Sequence, residues 1–220
     1  MHILYEDNHL LVVEKPINVL VQADNTKDKD LLTMLKEYLK EKYNKPGNVY
    51  LGLVHRLDRV VGGVMVFAKT SKAAGRLSKQ IQNHELKKTY YAVVCGKLKG
   101  KGHLENYLLK DEKTNTSTVN KKGKLAQLDY EVVANKENFT LVKIDLKTGR
   151  HHQIRVQFAN LGTPLYGDAR YNNNYKKGEQ IALFARELSF YHPTTKEELT
   201  FTLNLPNRYP YTLFNESLEF

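Results

Sequence analysis

Residues 103–146 offer several strand-like segments separated only by polar turns, including those at 111–115 and 121–124. Strands joined by such short connections pair antiparallel, because a parallel return needs a crossover of a dozen residues or more. This run therefore commits the chain to a largely antiparallel meander. Further strands are expected at 3–5, 10–13, 64–68, 87–97, 181–191 and 199–205, where apolar, β-branched and aromatic residues dominate. Helical spacing occurs in three places: behind the capping residue Asp30 (Leu31, Leu35, Tyr38, Leu39), within 71–85 (Ala74, Leu77, Ile81), and at Ile154, Phe158 and Leu161. Residues 24–30 read as a polar loop. Strands and a few helices without a regular βαβ rhythm predict an α+β fold, with a mixed, largely antiparallel β-sheet and flanking helices. At 220 residues, with no internal repeat and no long linker, the expectation is one domain over 1–220.

Charge narrows the function. The net charge of +10 suits a polyanionic partner, although a lysine-rich composition alone would give the same total. The arginines are more telling. Five of the eight (Arg56, Arg59, Arg150, Arg155, Arg170) fall within two stretches, 56–59 and 150–170, while the lysines are scattered. Arginine is the residue suited to forked contacts with phosphates, bases and carboxylates. No apolar run approaches the roughly 18 residues needed to span a bilayer, and the amino terminus lacks the pattern of a secretion signal. The single cysteine, Cys95, excludes an intrachain disulfide and a cysteine metal cage. The cytoplasm is the expected compartment.

In residues 54–70, Asp58 stands between Arg56 and Arg59, ahead of the Gly62-Gly63 turn and the apolar run 64–68. An acid at a strand–loop junction is ordinarily a cap or a surface ion pair. A carboxylate flanked by two guanidiniums and braced by a strand is, less commonly, a reactive group. Tyr90 and Tyr91 should face opposite sides of one strand. The second block, 147–162, carries Arg150, His151, His152, Gln153 and Arg155; on a helix, His152 and Arg155 would lie on the same side. His151 and His152 would diverge on that helix, which argues against joint metal ligation. There is no phosphate-binding glycine loop, no dinucleotide fingerprint, no H-E-x-x-H and no two-metal carboxylate cluster. The residues favour chemistry by Asp, Arg and Tyr on a basic surface, without metal or cofactor.

His55-Arg56-Leu57-Asp58, Lys88-Thr89-Tyr90 and Thr148-Gly149-Arg150-His151-His152-Gln153-Ile154-Arg155 occur in the order found in RluA-type pseudouridine synthases. The resemblance begins at Leu4-Tyr5-Glu6-Asp7 and Lys15-Pro16, runs through Gly162-Thr163-Pro164-Leu165-Tyr166-Gly167-Asp168, and ends at His192-Pro193 and Leu205-Pro206. It implies the pseudouridine synthase fold with a central basic cleft. It also implies isomerisation of uridine to pseudouridine in structured ribosomal or transfer RNA, with no cofactor and no metal; no membrane partner is expected, and the protein is expected to be a monomer. Asp58 matches the family's catalytic aspartate, acting at the ribose by attack on C1′ or by removal of the C2′ proton. Arg155 matches the arginine partner of that acid; opposed charges about 4 Å apart attract by roughly 4 kcal/mol at an effective dielectric of 20, before desolvation. Tyr90 matches the residue that packs on the base and takes the C5 proton. Arg56 matches the arginine that fills the stack when the uridine flips out. His55, Arg59, Arg150, His152 and Gln153 are the further expected substrate-binding residues.

Three departures stand out. Val61-Gly62-Gly63 replaces the usual Thr-Ser-Gly, so the loop's steadying hydrogen bonds should come from backbone groups. Gln157 stands where His is common. Asn18 replaces a usual Gly, and Asn enters left-handed conformations more readily than most residues. The chain is expected to begin directly in the catalytic domain, without the S4-type RNA-binding domain of many relatives, and target choice is then expected to rest on the cleft, its rim and any partner. The competing expectation is a non-catalytic RNA-binding or ribosome-assembly factor that retains the fold. A metal-dependent nuclease is disfavoured by the missing carboxylate cluster.

Overall fold

In the computed structural model, residues 2–217 are described except Asn25 and Lys27, so the expected polar loop at 24–30 lies partly outside the described residues. In chain order the elements are β1 (His2–Glu6), β2 (Leu10–Lys15), α1 (Leu31–Lys42), β3 (Gly52–Leu53), β4 (Gly62–Ala68), α2 (Ser71–Gln82), β5 (Lys87–Cys95), β6 (Lys101–Asp111), β7 (Thr116–Val119), β8 (Lys124–Lys136), β9 (Phe139–Leu146), α3 (Gln153–Asn160), β10 (Leu183–Tyr191) and β11 (Glu198–Thr202), with a closing 3₁₀ helix (Tyr211–Ser217). The fold is α+β on a largely antiparallel sheet. The chain forms two compact units, the first from Met1–Lys87 and Glu187–Leu203, the second from Lys88–Arg186 and Asn204–Phe220.

In the first unit β2 pairs antiparallel with β1 on one side and β4 on the other, placing Lys15 opposite Gly63. All seven residues of β4 are buried, as its unbroken apolar composition requires of a strand covered on both faces. Two helices accompany this sheet. Asp30 caps α1 by accepting the amide of Thr33, and Leu31, Leu35 and Leu39 form its buried stripe. Thr70 caps α2 through the amide of Ala73, and Ala73, Leu77 and Gln80 are buried. The Gln80 amide then completes the backbone pairing of Tyr191, donating at 2.7 Å and accepting at 2.9 Å. The expected helix at 71–85 stops at Gln82 because His84 adopts φ 58°, a left-handed turn that cannot continue it.

The second unit is the expected meander. β5 pairs with β9, β9 with β8, β8 with β6, and β6 with β7, all antiparallel. The β7–β8 turn needs Gly123, where a Cβ would fall 2.2 Å from the Leu108 carbonyl carbon. Phe158 of α3 is fully buried, its ring edge-on to Tyr130 at 5.5 Å. The 3₁₀ helix buries Tyr211 and Phe214, and the Tyr211 hydroxyl donates to the Tyr91 carbonyl. No helix among the described residues is long and apolar enough to cross a membrane.

Candidate active site

The first unit holds His55, Arg56, Asp58 and Arg59. Asp58 is partly buried at the head of a turn that the Val61 amide closes by donating to the Asp58 carbonyl at 3.0 Å. The turn is fixed from below by Lys15, whose side chain is fully buried. Its ammonium donates to the carbonyls of Pro16 (2.8 Å), Arg59 (3.0 Å) and Val61 (2.7 Å). Burial pushes the Lys15 ammonium down to about 7; the negative charge of Asp58 opposes that fall and Arg59 adds to it. Asp58 thus has a cationic neighbour within its own unit. The turn is steadied by backbone groups, as the loss of the Thr-Ser pair requires, and also by Lys15, which the sequence presented only within the Lys15-Pro16 pair of the resemblance.

The neighbouring residues are differently engaged. His55 Nε2 accepts the Val66 amide at 3.1 Å, which turns the ring onto β4 and places the ring proton on Nδ1. Arg56 is exposed. Arg59 is exposed, donating to the Asn18 carbonyl and pairing with Asp28 at 2.6 Å. Asn18 adopts φ 61°, the left-handed conformation expected at that position.

The second unit holds Tyr90, Arg150, His152, Gln153 and Arg155. Tyr90 lies in β5 opposite Ile144 and is 6% exposed. Gln153 staples the loop before α3: its amide oxygen accepts from the Thr148 hydroxyl and the Arg150 amide, and its amide nitrogen donates to the Gln127 carbonyl. Arg150 donates through Nε to the Leu125 carbonyl at 2.7 Å. His151 and His152 do not diverge along a helix. The helix begins one residue later, His152 sits at φ 53°, and the two rings stack with centroids 3.8 Å apart. His151 Nδ1 meets the Ser117 hydroxyl at 2.9 Å, and His152 Nδ1 meets the Tyr171 hydroxyl at 2.7 Å.

Arg155 is 5% exposed and makes a forked contact with Asp168, Nε to Oδ2 at 2.8 Å and Nη2 to Oδ1 at 2.7 Å. Its guanidinium also lies over the Tyr171 ring at 5.2 Å. His152 and Arg155 therefore do share a side, through Tyr171. Asp168 also accepts the amides of Arg170 and Tyr171. It follows Gly167, where a Cβ would lie 2.5 Å from the Gln180 carbonyl oxygen, so only glycine brings the turn close enough. Asp168 is a second residue whose role the sequence alone did not reveal.

The fold is shared with solved pseudouridylate synthase domains. Human RNA pseudouridylate synthase domain containing 4 superposes with a TM-score of 0.79 over 99% of this chain and 91% of that one, at 22% identity. Human RNA pseudouridylate synthase domain containing 1 gives 0.74 over 92% and 82%, at 23% identity. The RNA pseudouridylate synthase family profile matches residues 9–160. The chain belongs to that family of RNA-modifying isomerases. It is 36% identical over 202 residues to a Bacillus subtilis protein described as the uncharacterized RNA pseudouridine synthase YhcT, covering 90% of this chain and 66% of that protein. It is 31% identical over 226 residues to the ribosomal large subunit pseudouridine synthase D of Zymomonas mobilis, covering 94% and 69%.

Proposed function

We propose that the chain converts specific uridines of structured RNA to pseudouridine, with Asp58 as the catalytic group. The carboxylate acts at the ribose of a flipped-out nucleotide, by attack on C1′ or by removal of the C2′ proton. The N1–C1′ bond breaks, the base turns, and C5 bonds to C1′; the C5 proton leaves and N1 gains one. Tyr90 packs on the base and takes the C5 proton. Arg155, oriented by its fork with Asp168, supplies positive charge to the carboxylate. Arg56 fills the gap left in the stack. His55, Arg59, Arg150, His152 and Gln153 hold the RNA or the loops that meet it, in a basic cleft, without metal or cofactor. The protein works as a cytoplasmic monomer.

The observation that carries this reading is the Asp58 turn, pinned by two hydrogen bonds from one buried lysine in a chain that matches the family across residues 9–160. A loop held this firmly fixes a carboxylate where a purely structural acid would need no such support. Several relatives are named for the large ribosomal subunit, which supports ribosomal RNA as the target class. The test is turnover by purified protein on RNA from a strain lacking the gene. Wild type should form pseudouridine at a defined uridine, and Asp58→Asn should lose at least about 10²-fold in rate, the lower end for a displaced acid–base group. Equal rates for the two would remove Asp58 from the chemistry.

A further inference from the structure

Burial pulls two lysine ammoniums below their ordinary range, Lys15 and Lys88, and the two are provided for very differently. Lys15 has three carbonyls. Lys88, near the start of β5, has no carboxylate, carbonyl or ring as a partner among the described residues. It stands two residues before Tyr90, so strand alternation puts both side chains on one face. Opposite Tyr90 on that face is Ile144, and the next residue along it is Leu146, both buried. The nearby Asp145 pairs with Thr89, on the other face, and its carboxylate is taken up by Lys147. The Lys88 Nζ lies against Gly149, 3.6 Å from where a Cβ would be, in the loop that carries Arg150 and His152.

A partly buried ammonium on an apolar face, without an anion, is costly unless a partner arrives with the ligand. RNA delivers one phosphate with every nucleotide. We propose that Lys88 binds a backbone phosphodiester of the RNA beside the nucleotide that packs on Tyr90. This rests on the function proposed above and adds to it a residue that sets the register of the strand.

The experiment compares wild type with Lys88→Met, Lys88→Gln and Lys88→Arg, using large-subunit ribosomal RNA from a strain lacking the gene. Dissociation constants are measured across a potassium chloride series, with KM, kcat and the melting temperature of the free protein. Loss of one phosphate contact should lower the log–log salt slope by about 0.7–0.9 for Lys88→Met and Lys88→Gln. KM should rise on the order of tenfold at low salt, as for one charged hydrogen bond, with a smaller change in kcat. Lys88→Arg should keep the slope. Free Lys88→Met should melt no lower than wild type, because removing an uncompensated charge does not weaken the fold. An unchanged slope in both neutral variants, or a lower melting temperature with the slope intact, would overturn the assignment. Absence of pseudouridine formation by wild type would count against the proposed function instead, and the slopes would still report on the phosphate contact.

Discussion

Asp58, Tyr90 and Arg155 are proposed as the reacting set because each sits in a short sequence motif that resembles the family's. Lys15 and Asp168 could not be assigned roles in that way. The contacts of Lys15 depend on the 59–61 turn folding back over it, more than 40 residues later. Asp168 meets Arg155 only because the glycine before it lets the 165–168 turn approach the Gln180 backbone. At this scale the clearest stability prediction concerns that buried fork. Asp168→Ala takes the forked Asp168 carboxylate from a buried, charged Arg155 guanidinium, and should destabilise the protein by about 3–5 kcal/mol. Chemical denaturation measures it directly. A change under about 1 kcal/mol would mean that the guanidinium finds other compensation.

Strands and helices were largely legible because period-2 and period-3.6 patterns are local. Asp30 and Thr70 do cap their helices, and the 103–146 meander folds as strands joined by tight turns. What local pattern missed has local causes too. β3 is two residues long and has no periodicity to read. His152 breaks the helical register by entering a left-handed conformation, so the histidine pair stacks instead of diverging. Elements are also tied by charge. Glu6 of β1 accepts from Tyr38 and Lys42 of α1, from Tyr43 just beyond it, and from Lys69 after β4. Burial alone would raise the Glu6 carboxyl, but these four hydrogen bonds outweigh it and hold it at about 2, below its ordinary 4.5. Because the folded value is the lower one, the stabilisation is present above pH 4.5 and is lost as pH falls toward about 2. Glu6→Gln should therefore be less stable than wild type at pH 7, with the difference shrinking between pH 4.5 and 2 in denaturation curves taken across that range. A difference independent of pH would show that the carboxylate charge is not what joins these elements.

For the molecule as a whole, the sequence foretold an α+β protein with a largely antiparallel sheet, and the similarity to solved pseudouridylate synthase domains agrees with it. The division into two compact units was not readable, since no linker or change of composition marks it and β10 contributes residues to both. The clustered arginines and the net charge of +10 fit an RNA substrate, but charge does not name the RNA, and a target is chosen by groups that composition cannot order. The central claim is that Asp58 makes pseudouridine in cellular RNA. Carbodiimide mapping of total RNA from wild type, a deletion strain and an Asp58→Ala strain tests it most directly. At least one pseudouridine present in wild type should vanish from both other strains, at the same nucleotide. An identical map in all three would contradict the account.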